Sequence, residues 1–282
     1  MGRIGWWPGE SGVPDPARPK ANGGRAWGWW PMWIVTVLSL GAYLALSLGR
    51  WRRQAAPSWD LAIFEQAIKG YAYFKAPIID IKGPGFNQLG DHFSPLLAVL
   101  GPVYWIAPSP ITLLVAQCLL IAVSIVPVMM TARRFLGDGA GVLLGIAYGV
   151  SWGFQSGIDV QFHEYALAVP LLAFGLWALL AHRWVLASVL TLLLLGVKED
   201  LGFTVIVIGT LMFAQGIRRW NQATKRVGSH AGLLEDQSGE VAADAGRQAL
   251  VGAVTTAIGF LGTLLILFVL IPSFNPAGSW DY

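Results

Sequence analysis

The sequence predicts an all-α fold, a polytopic transmembrane helical bundle of about seven spans with interfacial helices in a long first external loop. Three observations lead there. Of the 282 residues, 55% are hydrophobic and only 12% are charged, whereas a soluble domain carries about 25% charged residues. The mean hydropathy is +0.57, and apolar runs of membrane length recur along the chain. The basic residues behind the net charge of +3 fall in short clusters beside those runs. That is how the positive-inside bias charges loops, and it argues against a nucleic-acid partner.

Residues 1–29, with Trp6, Trp7, Pro8, Pro14, Pro16 and Pro19, read as a disordered cytoplasmic tail, and 30–282 as the transmembrane domain. The apolar run that follows the tail is longer than a signal-peptide core of about 7–15 residues. Arg50, Arg52 and Arg53 stand where a cleavage site would lie. A span needs roughly 20 apolar residues, which selects 30–49, 111–132, 139–156, 200–217 and 248–271. The stretch 165–197 is broken only by His182-Arg183. It reads as two spans joined by a tight turn, the second one short, with a re-entrant pair as the alternative. Arg218, Arg219, Lys225 and Arg226 mark loop 218–247 as cytoplasmic. Counting back puts Arg183 and Arg133-Arg134 on the same side. Asp159, His163, Glu164, Lys198, Glu199 and Asp200 then fall outside. The lone cysteine, Cys118, excludes an intrachain disulfide and reads as a small buried apolar residue.

The first loop turns on 92–107. Its 16 residues cover about 24 Å of a ~30 Å hydrocarbon core. It also contains Pro95, Pro102, Tyr104 and Trp105, so it reads as a helix lying against the outer leaflet. Then 50–110 is one external loop and the N-terminus is cytoplasmic. Within that loop, 59–75 is amphipathic, with Leu61, Phe64, Ile68 and Tyr71 on one apolar face. Asp60 and Glu65 lie about 140° apart around that helix, so they flank the face and form no ready-made pair. Asp60, opening the helix, serves either as a base or as an N-cap. Residues 82–90 read as a flexible connector whose glycines lack phosphate-loop spacing. No internal repeat is visible.

The ionisable residues thus gather at span edges: Asp91-His92, Asp159, His163-Glu164 and Lys198-Glu199-Asp200. Mid-depth positions hold essentially none, Gln117 being the most polar of the second span, which argues against a pump. A carboxylate beside a histidine can bind a divalent cation, act as a base or simply satisfy the imidazole. The spacing matches no defined metal motif. The catalytic candidates are Asp60, Glu65 and Asp91. The substrate-binding candidates are His163, Glu164, Lys198 and Asp200, with Lys198 suited to a lipid phosphate. Asp91 and His92 are the candidate ligands for a divalent cation, the one cofactor suggested.

Trp59-Asp60-Leu61-Ala62-Ile63-Phe64-Glu65-Gln66, Leu89-Gly90-Asp91-His92-Phe93-Ser94-Pro95, Phe162-His163-Glu164 with Ala168-Val169-Pro170, and Lys198-Glu199-Asp200-Leu201 resemble, in order, the motifs of a bacterial membrane-protein family. That family is domain of unknown function 2079, and the resemblance covers residues 55–282. The layout is also similar to GT-C type membrane glycosyltransferases that use polyprenyl-phosphate sugars. Those have a first span, a long external loop with an acid near its start, helices on the membrane, and a second span ending in Arg-Arg, as Arg133-Arg134 does here. The resemblance implies a bacterial inner-membrane location, contact with membrane lipid, and a polyprenyl-phosphate-linked sugar as partner. Asp60 would then be the general base on an acceptor hydroxyl, and Lys198 would steady the donor phosphate. The first loop lacks the paired acidic dipeptide of that superfamily. The chain stops at Trp280-Asp281-Tyr282, where relatives continue, so an N-terminal portion of a longer architecture is expected. A permease or flippase for a lipid-linked or small polar substrate is the alternative, and a non-catalytic assembly partner the plainest reading.

Overall fold

Helix α1 (Trp30–Arg52) places Pro31 in its first turn, where the missing N–H costs nothing, and closes on Arg50 and Arg52. The computed structural model describes residues 28–55, 59–227, 235–275 and 278. The expected tail up to residue 27 and the final Trp280-Asp281-Tyr282 lie outside them. Helix α4 (Pro110–Leu136) starts where the Ser109 hydroxyl oxygen accepts from Ile111 N at 3.2 Å, one of the orphan donors of a first turn. Helices α9 (Leu201–Val227) and α10 (Glu235–Leu265) form an antiparallel hairpin. The latter continues through a π turn, Ile266–Leu270, into α11 (Ile271–Phe274). Among the described residues, Trp30–Arg52, Pro110–Leu136, Leu201–Lys225 and Gly239–Phe274 are long and apolar enough to cross a membrane. Leu38, Phe203, Leu261 and Phe268 remain exposed on them, a surface suited to hydrocarbon rather than water.

The expected span 139–156 is instead two helices, α5 (Asp138–Gly149) of 12 residues and α6 (Trp152–Asp159) of 8. At 1.5 Å per residue α5 covers about 18 Å, too little to cross alone. The break has a cause. The Tyr43 hydroxyl donates to Gly149 O at 2.5 Å, occupying the carbonyl that the next turn would use, and Ser151 turns extended with ψ 140. The stretch 165–197 divides where His182-Arg183 suggested. Helices α7 (Tyr165–Leu180) and α8 (Trp184–Leu192) are joined through His182 at φ 58, and α8 tightens into a 3₁₀ turn over Leu193–Gly196. Neither reaches full span length. The loop expected at 218–247 is largely helical, because α9 and α10 run past the apolar stretch. Arg219 fastens them, donating to Gln248 Oε1 at 2.6 Å and to Asp244 Oδ2 at 3.1 Å. Residues 228–234 lie outside the described residues.

The first loop folds back over the bundle. Helix α2 (Asp60–Ala72) buries Leu61, Phe64 and Ile68, the face its periodicity marked, and half-buries Tyr71. Residues 95–106 form a 3₁₀ turn (Pro95–Leu100) leading into α3 (Gly101–Ile106). Leu97, Leu100 and Tyr104 point into the core, while Val99, Val103, Trp105 and Ile106 point out. The connector between them is not loose. Ile79 N donates to Phe86 O at 2.8 Å, and Gln88 is buried. A Cβ on Gly90 would lie 2.5 Å from the Phe274 carbonyl carbon, and Asn275 Nδ2 donates to Gly90 O at 3.2 Å. The glycine is required by that contact with the end of the last span, which a spacing rule for phosphate loops does not detect.

Glycines set the packing of α9 against α10. Gly202, Gly209 and Gly216 recur every seventh residue and face Thr263, Thr256 and Ala249, while Gly252 and Gly259 face Phe213 and Val205. A Cβ at Gly209 would lie 2.7 Å from Thr256 N, and one at Gly252 2.3 Å from Phe213 N. The two backbones are in near contact, the mode by which membrane helices gain dispersion energy.

Candidate functional site

The ends of α1, α6 and α8 and the starts of α2, α7 and α9 meet at one end of the bundle. Arg50 at the end of α1 pairs with Asp159 at the end of α6, Nη2 to Oδ2 2.9 Å. Asp60 is the first residue of α2, after the N-cap residue Trp59. Its Oδ2 lies 3.3 Å from His163 Nε2, so the carboxylate is directed across to another element and not to its own helix. The His163 backbone is held in turn, while its Nδ1 is buried without a hydrogen-bond partner among the described residues. His163 N donates to Gln117 Oε1 at 3.0 Å, Gln117 Nε2 donates to Gly157 O at 3.2 Å, and the Phe64 ring packs at 5.8 Å.

The next residue continues the network. Glu164 is 1% exposed; its Oε1 is 2.9 Å from Lys198 Nζ, and its Oε2 is buried without a hydrogen-bond partner among the described residues. A buried carboxylate is tolerated only when paired, and Lys198 supplies the pairing while also lying 4.7 Å from the Tyr165 ring centroid. The Tyr165 hydroxyl hydrogen-bonds Asp200. Between them in sequence, Glu199 is 2% exposed. It accepts from Phe93 N at 3.0 Å and meets His92 Nδ1 at 2.9 Å. Burial alone would raise its pKa, but the hydrogen bond from His92 and those from backbone N–H groups outweigh it and hold the carboxyl below the usual range.

The remaining candidates stand at the rim. Asp91 is paired with Lys82, and its Oδ2 is 3.9 Å from His92 Nε2. The pair offered as cation ligands is therefore engaged by Lys82 and Glu199. Among the described residues no group of three or more His, Cys, Asp or Glu is arranged to hold a metal ion. Glu65 turns away to accept from the Tyr104 hydroxyl at 2.9 Å. Burial and then that hydrogen bond push Tyr104 up to about 12.

Asp60, His163, Glu164, Lys198, Asp200, His92 and Asp91 thus line up as one polar chain, whose contact sets, Asp60–His163, Glu164–Lys198 and Glu199–His92–Asp91, are joined by neighbouring positions in sequence, with Glu65 outside it. Glu199, Tyr165 and Gln117 complete it. The sequence placed Glu199 in the gathered edge Lys198-Glu199-Asp200 without a role of its own, passed over Tyr165, and marked Gln117 only as a polar group in an apolar span. Charged residues at the opposite end keep to themselves: Arg133 Nη1 donates to Gly28 O at 3.1 Å, and Trp184 Nε1 to Asp244 Oδ1 at 2.8 Å.

A protein-family model described as predicted membrane protein (DUF2079) matches residues 54–280. The polar chain described above lies wholly within that match. No curated protein and no solved structure matches the chain.

Proposed function

This chain belongs to the DUF2079 family of membrane proteins, and from that premise we propose that it is a glycosyltransferase-like enzyme. It moves a sugar from a polyprenyl-phosphate donor to an acceptor at the outer face of the bacterial inner membrane. The observation that carries this reading is the Asp60–His163 contact of 3.3 Å, one residue away from the Glu164–Lys198 ion pair.

Inverting transfer needs a base for the acceptor hydroxyl and positive charge for the departing phosphate. The acceptor oxygen attacks the anomeric carbon, its proton passes to Asp60, and the sugar–phosphate C–O bond breaks with its electron pair leaving on the phosphate. His163 orients Asp60 and disperses its charge. Lys198, held by Glu164, faces the phosphate as a compact cation. Asp91 and Glu65 are the substitutes for the base, Asp91 standing in the polar chain beside Lys82 and Glu65 outside it against the Tyr104 hydroxyl.

The test uses the protein in nanodiscs with a panel of radiolabelled polyprenyl phosphohexoses, scoring release of polyprenyl phosphate. Wild type consumes at least one donor, and Asp60→Asn loses about 10²–10⁴-fold in rate, the usual contribution of a general base. Full activity in Asp60→Asn removes Asp60 from that role. Consumption of no donor, combined with uptake of a polar substrate into proteoliposomes, turns the reading to a permease or flippase.

A further inference from the structure

Beside the polar chain, at the end of α1, an open cavity of about 490 Å³ is lined by Trp51, Arg52, Gln54 and Gln161. Its size falls within the range of small-molecule sites. The Arg50–Asp159 ion pair joins the ends of α1 and α6, the helices that precede Gln54 and Gln161, and Gln161 stands two residues before His163.

Gln54 at φ 52 and Gln161 at φ 74 are both left-handed, and the other non-glycine residues of that kind among the described residues are Phe74 and His182. Glycine occupies that region without strain, glutamine does not. Both glutamines stand just past a helix end, Gln54 after α1 and Gln161 after α6, where a left-handed residue closes the last turn and sets both side chains beside the cavity. Gln161 is only 3% exposed, yet no described residue hydrogen-bonds its side-chain amide, and no described carboxylate pairs with Arg52. Trp51 packs against the core cluster of Leu61, Phe64 and Phe162 while lining the cavity.

We propose that this cavity binds a hexose phosphate headgroup. The indole of Trp51 offers a flat apolar platform for the C–H face of a pyranose ring. Each glutamine amide donates and accepts, as sugar hydroxyls require. The Arg52 guanidinium takes the phosphate as a two-pronged donor. The assignment rests on the transferase reading for its substrate class and adds where the sugar sits, in a cavity lined by Gln161, two residues before His163.

The experiment is titration calorimetry on the full chain in detergent with glucose, mannose and galactose 1-phosphates, the free hexoses, inorganic phosphate and a short-chain polyprenyl phosphohexose. Wild type binds at least one hexose 1-phosphate, and Arg52→Gln and Gln161→Gly each weaken it about tenfold or more. Gln161→Gly keeps its Tm at or above wild type, because glycine relieves the left-handed strain, so its loss of binding is not a loss of fold. Binding of the polyprenyl form marks a lipid-linked source, and binding of the soluble forms alone marks a free sugar phosphate; either supports the cavity. No binding of any hexose phosphate, unchanged binding in both variants, or equal binding of inorganic phosphate overturns it. Binding of a hexose 1-phosphate by wild type without consumption of any polyprenyl phosphohexose would sink the transferase reading and leave the cavity assignment standing.

Discussion

His92 Nδ1 and Glu199 Oε1 lie 2.9 Å apart across 107 positions of sequence. The first loop is thereby anchored to the segment between α8 and α9 through a buried carboxylate that also receives Phe93 N. An ionised carboxylate can only accept, so with Glu199 ionised the contact takes an Nδ1–H from the imidazole.

This anchor gives the stability a defined acid limb. The Glu199 pKa is lower in the folded chain than its ordinary value, near 4.3 in an unfolded chain. Its stabilising contribution is therefore present above that value and is lost as pH falls through the folded pKa. Glu199→Gln should flatten the decline of Tm below about pH 5 while lowering Tm at neutral pH. An acid limb identical to wild type would mean that Glu199 is not the group responsible.

The Glu164–Lys198 pair should behave as a unit. Lys198→Met leaves a buried carboxylate uncompensated and is expected to cost about 3–5 kcal/mol. The double variant Glu164→Gln/Lys198→Met should recover most of that stability while remaining inactive. Thermal unfolding in detergent compares the three proteins, and additive losses would show that the two side chains do not depend on one another.

Gly252 and Gly139 make a contrasted pair. A Cβ at Gly252 meets the Phe213 backbone, whereas one at Gly139 has nothing within 4 Å. Gly252→Ala should destabilise by about 1–3 kcal/mol. Gly139→Ala, inside a helix, should stabilise by roughly 0.5–1 kcal/mol. Equal Tm values for both would refute the close approach of α9 and α10.

Orientation is read by thiol labelling in a Cys118→Ala background. Lys75→Cys at the end bearing the polar chain should react with an impermeant reagent on intact cells, and Asn221→Cys only after permeabilisation. The reverse pattern would put the proposed transferase chemistry on the wrong side of the membrane.

The sequence revealed what depends on period and charge. The buried face of α2, the turn at His182-Arg183 and the long apolar helices all follow from local patterns. The kink between α5 and α6 did not show, because its cause is Tyr43, more than 100 residues away. The packed connector was missed for the same reason: Gly90 is a contact with Phe274, and only the fold brings them together. Asp60 as base or cap was undecidable from spacing, since the direction of its carboxylate depends on where α7 begins. The burial of Glu199 was hidden because a Lys-Glu-Asp run reads as solvated turn until His92 and Phe93 are placed over it. The seven-residue glycine rhythm was legible in principle but is split between two helices, so neither half stands out.

The π turn at Ile266–Leu270 resolves a conflict of phase in the last span. Its first part must keep glycines and threonines turned to α9, while its end must turn Ile271 and Asn275 toward the first loop. An ideal helix advances about 100° per residue, and a π turn absorbs one extra residue, so the span can serve one partner and then be re-indexed for another. Removing a single residue from that turn would leave the hairpin intact but swing Asn275 off Gly90, uncoupling the covering loop from the bundle beneath it.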